Sequence, residues 1–219
     1  MIRFLIQLAC VAIAVPLVLA VLYNVGHPAS TLMLARMLTG ERVERIWTPL
    51  ADFSPALVRT VVASEDARFC VHHGVDVEEM RKVVEKADDL EDLRGTSTIT
   101  MQVVKNLFLW QRPEVPRKII ELPLAVWLDA VMSKRRILEI YLNIAEWGPD
   151  GTFGAEAAAQ QQFGIAAARI SADQAARLAV MLPNPQRRSA GNPGPGLRRL
   201  ADRLEARVPR EGPELIACL

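Results

Sequence analysis

Apolar residues recur at helical spacing along most of the chain, and this pattern predicts a mainly α-helical protein. One helix is predicted to begin at Ser54-Pro55, because Ser is a frequent N-cap residue and Pro suits the first helical position. Leu57, Val58 and Val61 follow on one face of that helix. The sequence has no alternating strand pattern of useful length, so we expect a mainly α fold.

The same helix face continues onto a carboxylate. Glu65 and Phe69 occupy the next positions after Val62, so Glu65 is predicted to lie on the buried side. Burial disfavours the ionised form of a carboxyl group, so we expect the pKa of Glu65 to rise toward the range that suits proton transfer. The structural alternative is a carboxylate at the edge of the core, paired with Arg68 or His72.

An apolar stretch over residues 4–25 opens the chain, and about 20 such residues are enough to cross a bilayer. Arg3 precedes the stretch and the next Lys or Arg is Arg36, so the N-terminus is predicted to lie in the cytoplasm. A cleaved signal peptide is the alternative, but its apolar core is typically about 7 to 15 residues long. We therefore assign residues 1–28 to a membrane anchor and 29–219 to one exported domain.

Composition excludes several classes of protein. The chain has 219 residues, which suits one compact domain with an appendage. Its 26 basic and 25 acidic residues nearly balance, so no nucleic-acid partner is expected. Three widely spaced cysteines favour neither a disulfide framework nor a zinc site, and a Cys70–Cys218 pair stays open. The acidic run at Asp88, Asp89, Glu91 and Asp92 lacks the spacing of a calcium loop, and we interpret it as a solvated connection.

A polar cluster follows that run. Ser97 or Thr98 is predicted to cap a helix whose polar side carries Gln102, Lys105 and Asn106. Helix N-termini favour anions, so the start of this helix together with Lys105 would suit a diphosphate. The structural alternative is a capped amphipathic helix with a surface lysine.

A second helix is predicted to open at Pro116. Arg117, Lys118 and Glu121 are three or four residues apart and share a face of it. The structural alternative is a surface salt bridge worth less than about 1 kcal/mol. Residues 122–147 are predicted to continue as helix, kinked at Pro123.

Three further helices are predicted in the last third of the chain. A small-residue helix runs from residue 154 to a C-terminal cap at Gly164. Ser171-x-x-Gln174 is a capping box for a helix over 172–182, and a charged helix is expected over 197–208.

Several of these motifs occur in an order that resembles the peptidoglycan glycosyltransferases, the enzymes that polymerise lipid II. The resemblance covers residues 45–190. Its motifs are Glu65-Asp66-x-x-Phe69-x-x-His72-x-Gly74, Gly95-Thr96-Ser97-Thr98-Ile99-Thr100-Met101-Gln102, Arg117-Lys118-x-x-Glu121, Lys134-x-x-Ile137-Leu138-Glu139-x-Tyr141-Leu142-Asn143 and Leu182-Pro183-Asn184-Pro185. Thr96 stands where this family usually has glycine or alanine, and Gln162 stands where an aromatic residue is usual.

The resemblance implies a lysozyme-like helical domain of two lobes, with the active site in the cleft between them. It implies an inverting transfer with Glu65 as general base and Glu121 as the second catalytic carboxylate. Glu121 would orient the neighbouring cations or help to bind a divalent ion, Mg or Mn, together with the substrate diphosphate. The implied substrate-binding residues are Asp66, Phe69, His72, Ser97, Thr98, Gln102, Lys105, Asn106, Arg117 and Lys118. The Lys134 to Asn143 motif is interpreted as architectural.

The implied partners are lipid II, the growing glycan strand and the bilayer, with wall-synthesis or division proteins as candidates. No Ser-x-x-Lys transpeptidase motif follows, so a monofunctional enzyme of the inner membrane is expected. Two alternatives stay open: a lytic enzyme of lysozyme-like fold that uses Glu65 as an acid, and a non-catalytic membrane scaffold.

Overall fold

The computed structural model describes residues 1–86, 97–111 and 114–219, and it confirms the mainly helical class. The α-helices in these ranges are α1 (Ile2–Leu22), α2 (Thr31–Thr39), α3 (Pro55–Glu65), α4 (Val77–Lys86), α5 (Ile99–Phe108), α6 (Glu114–Val131), α7 (Lys134–Ile144), α8 (Ala155–Phe163), α9 (Ala172–Met181) and α10 (Pro195–Arg207). Two short strands, β1 (Glu44–Arg45) and β2 (Thr152–Phe153), pair in parallel. The acidic run of residues 88–92 and the Gly95-Thr96 dipeptide lie outside the described residues.

Capping residues set several helix ends where the sequence predicted them. The Ser54 hydroxyl accepts a hydrogen bond from the Leu57 N–H at 3.1 Å, which opens α3. Ser171 and Gln174 form the predicted capping box of α9, which ends one residue earlier than expected. Gly164 ends α8 with φ of 69°, a left-handed conformation that glycine adopts without strain.

The prediction of one kinked helix over residues 122–147 is wrong. α6 begins two residues before Pro116, runs through Pro123 and ends at Val131. A new helix, α7, starts after Ser133, whose hydroxyl accepts a hydrogen bond from the Arg136 N–H at 3.3 Å. The first N–H groups of a helix have no carbonyl partner within the helix, and the Ser133 hydroxyl accepts from one of them. Ser133 therefore favours the start of a new helix at this position.

The core is built around α7. Most of this helix is buried, including Ile137, Leu138 and Tyr141. α5 packs against both α6 and α7, while α9 packs against α3 and α10. This arrangement brings the C-terminal end of α3 against the side of α5, and the predicted site lies at that junction.

A disulfide joins Cys70 to Cys218, and their Cα atoms are 5.4 Å apart. The sequence left this pair open. The bond ties the C-terminal tail to the turn that follows α3. Arg59 strengthens the attachment, because its guanidinium donates a hydrogen bond to the Glu211 carbonyl at 3.0 Å.

α1 is long and apolar enough to cross a membrane. The end of this helix rests on α6. The Trp127 indole donates a hydrogen bond to the Leu17 carbonyl at 3.1 Å, and the Asn24 amide donates to the Val131 carbonyl at 2.9 Å. Ala20 is buried at the same contact.

Candidate active site

Glu65 is the last residue of α3, and its carboxylate is half-buried against α5 and α7. It accepts a hydrogen bond from the Gln102 side-chain amide at 3.0 Å. The Tyr141 hydroxyl donates to the other end of the same amide, the Gln102 carbonyl oxygen, at 3.2 Å. Tyr141 therefore fixes the orientation in which Gln102 presents its N–H group to Glu65.

Burial raises the pKa of Glu65, as the sequence predicted, and the negative charge of Asp66 adds to the effect. The hydrogen bond from Gln102 and the positive charge of Lys105 act in the opposite direction. Burial and the nearby Glu65 charge also raise the pKa of Tyr141 well above its ordinary value. Tyr141 is thus a neutral hydrogen-bond donor, and Glu65 is a carboxylate suited to accepting a proton.

The structural alternative in which Glu65 pairs with Arg68 or His72 is wrong. The His72 Nε2 atom lies 2.9 Å from a carboxylate oxygen of Asp66, and both side chains are buried. Arg68 instead donates to the Asp76 carboxylate at 2.9 Å. Because His72 and Arg68 pair with other carboxylates, Glu65 interacts with Gln102 and Tyr141 instead.

The turn after α3 is anchored to the core rather than continuing the helix. α3 ends at Glu65, so Phe69 does not lie on the helix face that the sequence predicted. Phe69 is nevertheless fully buried, and the Lys134 ammonium lies 4.6 Å from its ring centroid. Asp66 also accepts a hydrogen bond from the Ile99 N–H at 2.9 Å, which fixes the turn to the start of α5.

Thr98 is the N-cap of α5, and it makes a second link to the same turn. Its hydroxyl accepts from the Met101 N–H at 3.1 Å and donates to the Gly74 carbonyl at 2.6 Å. Gly74 has φ of 82°, and a Cβ atom there would lie 2.3 Å from the Ala125 carbonyl oxygen. Only glycine fits this close approach of the turn to α6.

A polar cleft of about 200 Å³ lies beside Gln102, the side chain that donates to the Glu65 carboxylate. Gln102, Lys105 and Asn106 line it from α5, and Tyr141 lines it from α7. Of the predicted site residues, Glu65 and these three α5 side chains are therefore brought to one place. The cleft provides space for a substrate next to the carboxylate and its charged neighbour Lys105.

Four more of the predicted residues form a second group at the start of α5 and in α6: Ser97, Arg117, Lys118 and Glu121. Lys118 donates to the Ser97 hydroxyl at 3.2 Å. Arg117 and Glu121 form an ion pair in which the whole residues are only 5% and 2% exposed, respectively. The surface-salt-bridge alternative is therefore wrong. Breaking a buried pair leaves an uncompensated charge, so this pair holds the Arg117 guanidinium in place.

The described residues do not supply a metal site at Glu121. Across residues 1–86, 97–111 and 114–219, no group of three or more His, Cys, Asp or Glu side chains is arranged to hold a metal ion. The Glu121 carboxylate is engaged by Arg117. A divalent ion bound with the substrate diphosphate therefore stays a prediction.

Sequence reasoning missed two side chains of the cleft. The motif around Tyr141 predicts an architectural role for this residue, although its hydroxyl is a polar group on an otherwise buried helix face. Glu146 also lines the cleft and lies 2.5 Å from Arg36. Burial raises the pKa of Glu146, and the charge of Arg36 opposes this rise. Arg36 and Glu146 are far apart in the chain, so no local sequence pattern indicates that they pair.

The comparisons with known proteins agree with this site. A sequence-family model described as Transglycosylase matches residues 31–207. Relatives that bear the name biosynthetic peptidoglycan transglycosylase align with most of this chain. The one from Rhodopseudomonas palustris (strain TIE-1) is 55% identical over 207 residues, which are 94% of this chain and 88% of the relative. The one from Nitrobacter hamburgensis is 56% identical over 203 residues, covering 93% and 89% of the two chains.

The third relative, from Mesorhizobium japonicum, is 55% identical over 214 residues, covering 96% of this chain and 90% of the relative. A mainly helical fold with a half-buried carboxylate next to a polar cleft is typical of an enzyme that uses acid–base catalysis. Within that class, the chain belongs to the transglycosylase family.

Proposed function

We propose that this enzyme polymerises lipid II into linear β-1,4 glycan strands and releases undecaprenyl diphosphate. The observation that carries the proposal is Glu65, a half-buried carboxylate with a raised pKa that Gln102 orients beside a polar cleft. The family match and the names of the relatives support the same reaction.

In the proposed step, Glu65 takes the proton from the C4 hydroxyl of the acceptor sugar. The C4 oxygen forms a bond to the anomeric carbon of the donor strand, on the face opposite the diphosphate. The bond between that carbon and the diphosphate oxygen breaks, and the diphosphate leaves with the electron pair. The configuration at the anomeric carbon is therefore inverted. A diphosphate is a good leaving group, so one positioned base suffices.

Negative charge develops on the diphosphate during this step, and cations placed in advance stabilise it. Lys105, Arg117 and Lys118 are the proposed cations. The buried pairing with Glu121 supports a positioning role for that carboxylate, since it holds the Arg117 guanidinium. Asp66, Phe69, His72, Ser97 and Thr98 would act by fixing the turn and the start of α5, and Asn106 by lining the cleft.

We propose a location at the inner membrane, with α1 as a single span and the N-terminus in the cytoplasm. The length and apolarity of α1 support the span. The Cys70–Cys218 disulfide supports an exported domain, because disulfides persist in oxidising compartments and are rare in the cytosol. Wall-synthesis or division proteins remain proposed partners.

The test is to incubate detergent-solubilised full-length protein with labelled lipid II and to separate the products by size. We expect polymer that lysozyme degrades. Shortened strands from preformed glycan, with no polymer from lipid II, would indicate the lytic alternative. Turnover of neither substrate would indicate the scaffold. A Glu85→Gln variant is the matched control for variants of Glu65, because Glu85 is exposed on α4 and does not line the cleft.

A further inference from the structure

A second cavity, of about 320 Å³, lies where α9 and α10 pack near the end of α3. Three arginines line it: Arg188, Arg203 and Arg207. The remaining lining residues are Ser64, Val180, Pro183, Leu200 and Leu204, and none of them carries a negative charge. The cavity therefore combines a strongly positive wall with an apolar wall.

Two of the arginines are fixed by backbone carbonyls. Arg188 donates to the Val180 carbonyl at 2.7 Å, and Arg207 donates to the Ala63 carbonyl. A guanidinium carries five N–H donors in a planar fork that matches a carboxylate or a phosphate, so one bond to a carbonyl leaves donors for a ligand. Arg207 also pairs with Glu211, whose carboxylate oxygen lies 3.9 Å from its Nε atom. None of the residues that line the cavity is acidic, so an anion inside it would still be attracted by the three guanidinium groups.

This cavity adjoins the active-site cleft. Pro183 lines both, and Ser64 of the cavity wall directly precedes Glu65. A substrate held in the cleft would need to extend only past Pro183 to reach the arginines. The proposed membrane span lies elsewhere in the molecule, because α1 rests on α6 whereas α10 packs on α9 and α3. This placement favours a part of the substrate over a lipid headgroup.

We infer that the cavity binds the carboxylates of the peptide stem that the glycan substrate carries. This inference rests on the proposed function, since it assigns the stem of the same substrate to a site beside the cleft. The arginines would pair with the stem carboxylates, and Val180, Leu200 and Leu204 would contact its aliphatic carbons. The site would thereby favour substrates with an acidic stem over those whose stem is neutral.

The test measures binding without turnover, so it is independent of the polymerisation assay. Soluble disaccharide-peptide with free stem carboxylates, and the same compound with amidated carboxylates, are titrated into detergent-solubilised full-length protein by calorimetry. We expect the acidic compound to bind about tenfold tighter, as one charge-assisted hydrogen bond provides. Arg203→Ala should remove this preference, since Arg203 lines the cavity on an exposed position of α10 where a substitution leaves the core intact.

Arg199→Ala is the matched control, because Arg199 is also exposed on α10 but does not line the cavity. It should keep the full preference. Equal affinities of the wild-type protein for the two compounds would overturn the inference, and so would a preference that persists in Arg203→Ala. Either result would leave the proposal that the enzyme polymerises lipid II unaffected. Conversely, failure of polymerisation in a protein that keeps this binding preference would count against the proposed function alone.

Discussion

A chain of hydrogen bonds runs from Tyr141 through Gln102 to Glu65. Tyr141 donates to Gln102, and Gln102 donates to Glu65. The phenol stays neutral because burial raises the pKa of Tyr141, so it continues to act as a donor at physiological pH. Gln102 therefore stabilises the ionised form of Glu65, which is the form that a general base requires.

Replacing Gln102 should move the pH dependence of the reaction. The hydrogen bond from Gln102 lowers the pKa of Glu65 against the effect of burial, so Gln102→Ala is expected to raise this pKa further. The acid limb of kcat/KM reports ionisation of the base in the free enzyme and should shift to higher pH. The measurement is a pH profile of lipid II polymerisation. Gln160→Ala, at an exposed position of α8, should leave the limb unchanged; a limb that stays in place in Gln102→Ala would contradict this role.

Glu65→Gln should stabilise the fold at neutral pH. Because the pKa of Glu65 is raised in the folded state, the folded protein binds its proton more tightly than the unfolded chain does. This carboxyl group therefore destabilises the fold above its folded pKa and has no such effect below its unfolded pKa. Thermal unfolding should give a higher Tm for the variant at pH 7.5, by about 2–4 °C for each kcal/mol gained. The gain should shrink toward pH 4; a lower Tm at pH 7.5 would contradict the assigned pKa shift.

At the scale of elements, the disulfide secures the turn that carries Asp66, Phe69 and His72. Cys70 lies within this region and Cys218 is near the end of the chain, with a sequence separation of 148 residues. Cross-linking such distant residues restricts the unfolded chain strongly in the chain-entropy model. The bond therefore stabilises the segment that directly follows the proposed base.

Loss of the disulfide should cost about 2–5 kcal/mol of unfolding free energy, the usual effect of removing a native disulfide. Urea unfolding of the wild-type protein and of Cys70→Ser/Cys218→Ser, each with and without reductant, measures this cost. Reductant should lower the stability of the wild type to that of the double variant. Cys10→Ser should respond to reductant as the wild type does, because Cys10 is not in the disulfide. A wild-type protein that reductant does not affect would contradict the prediction.

Local sequence signals predicted several helices, but they could not predict contacts between distant parts of the chain. Capping at Ser54 and Ser171 located α3 and α9, since the capping residue and its partner lie within one turn. The break at Ser133 was missed because the apolar pattern continues on both sides of it. The pairing of Arg36 with Glu146 and the role of Tyr141 depend on helix packing, which no local spacing encodes.

At the scale of the whole molecule, α1 is attached to the catalytic domain and is not held by a linker alone. The contacts of Trp127 and Asn24 with backbone carbonyls join the end of α1 to α6. α6 also carries Arg117, Lys118 and Glu121. The proposed membrane span is therefore in direct contact with the helix that carries Arg117 and Lys118, two of the proposed diphosphate-binding cations.

Deleting residues 2–22 should loosen α6, because α6 loses the packing of Ala20 and the bond from Trp127 to Leu17. Hydrogen exchange should show faster amide exchange in α6, by about tenfold for each 1.4 kcal/mol lost, and little change in α9. Trp127→Phe in the full chain is the matched control, since it removes only the hydrogen bond and should have a smaller effect. Equal exchange in α6 with and without α1 would contradict the attachment.

The role of Glu65 as the base is tested most directly by the single-turnover rate at which lipid II is joined to a glycan acceptor. This rate is measured with enzyme in excess for the wild type, Glu65→Gln and Glu85→Gln. Loss of a positioned base should lower the rate of bond formation by about 10²–10⁴-fold in Glu65→Gln while lipid II binding is retained. Glu85→Gln should react at the wild-type rate, because Glu85 is exposed on α4. A Glu65→Gln variant that forms the glycosidic bond as fast as the wild type would contradict the assignment of Glu65 as the base.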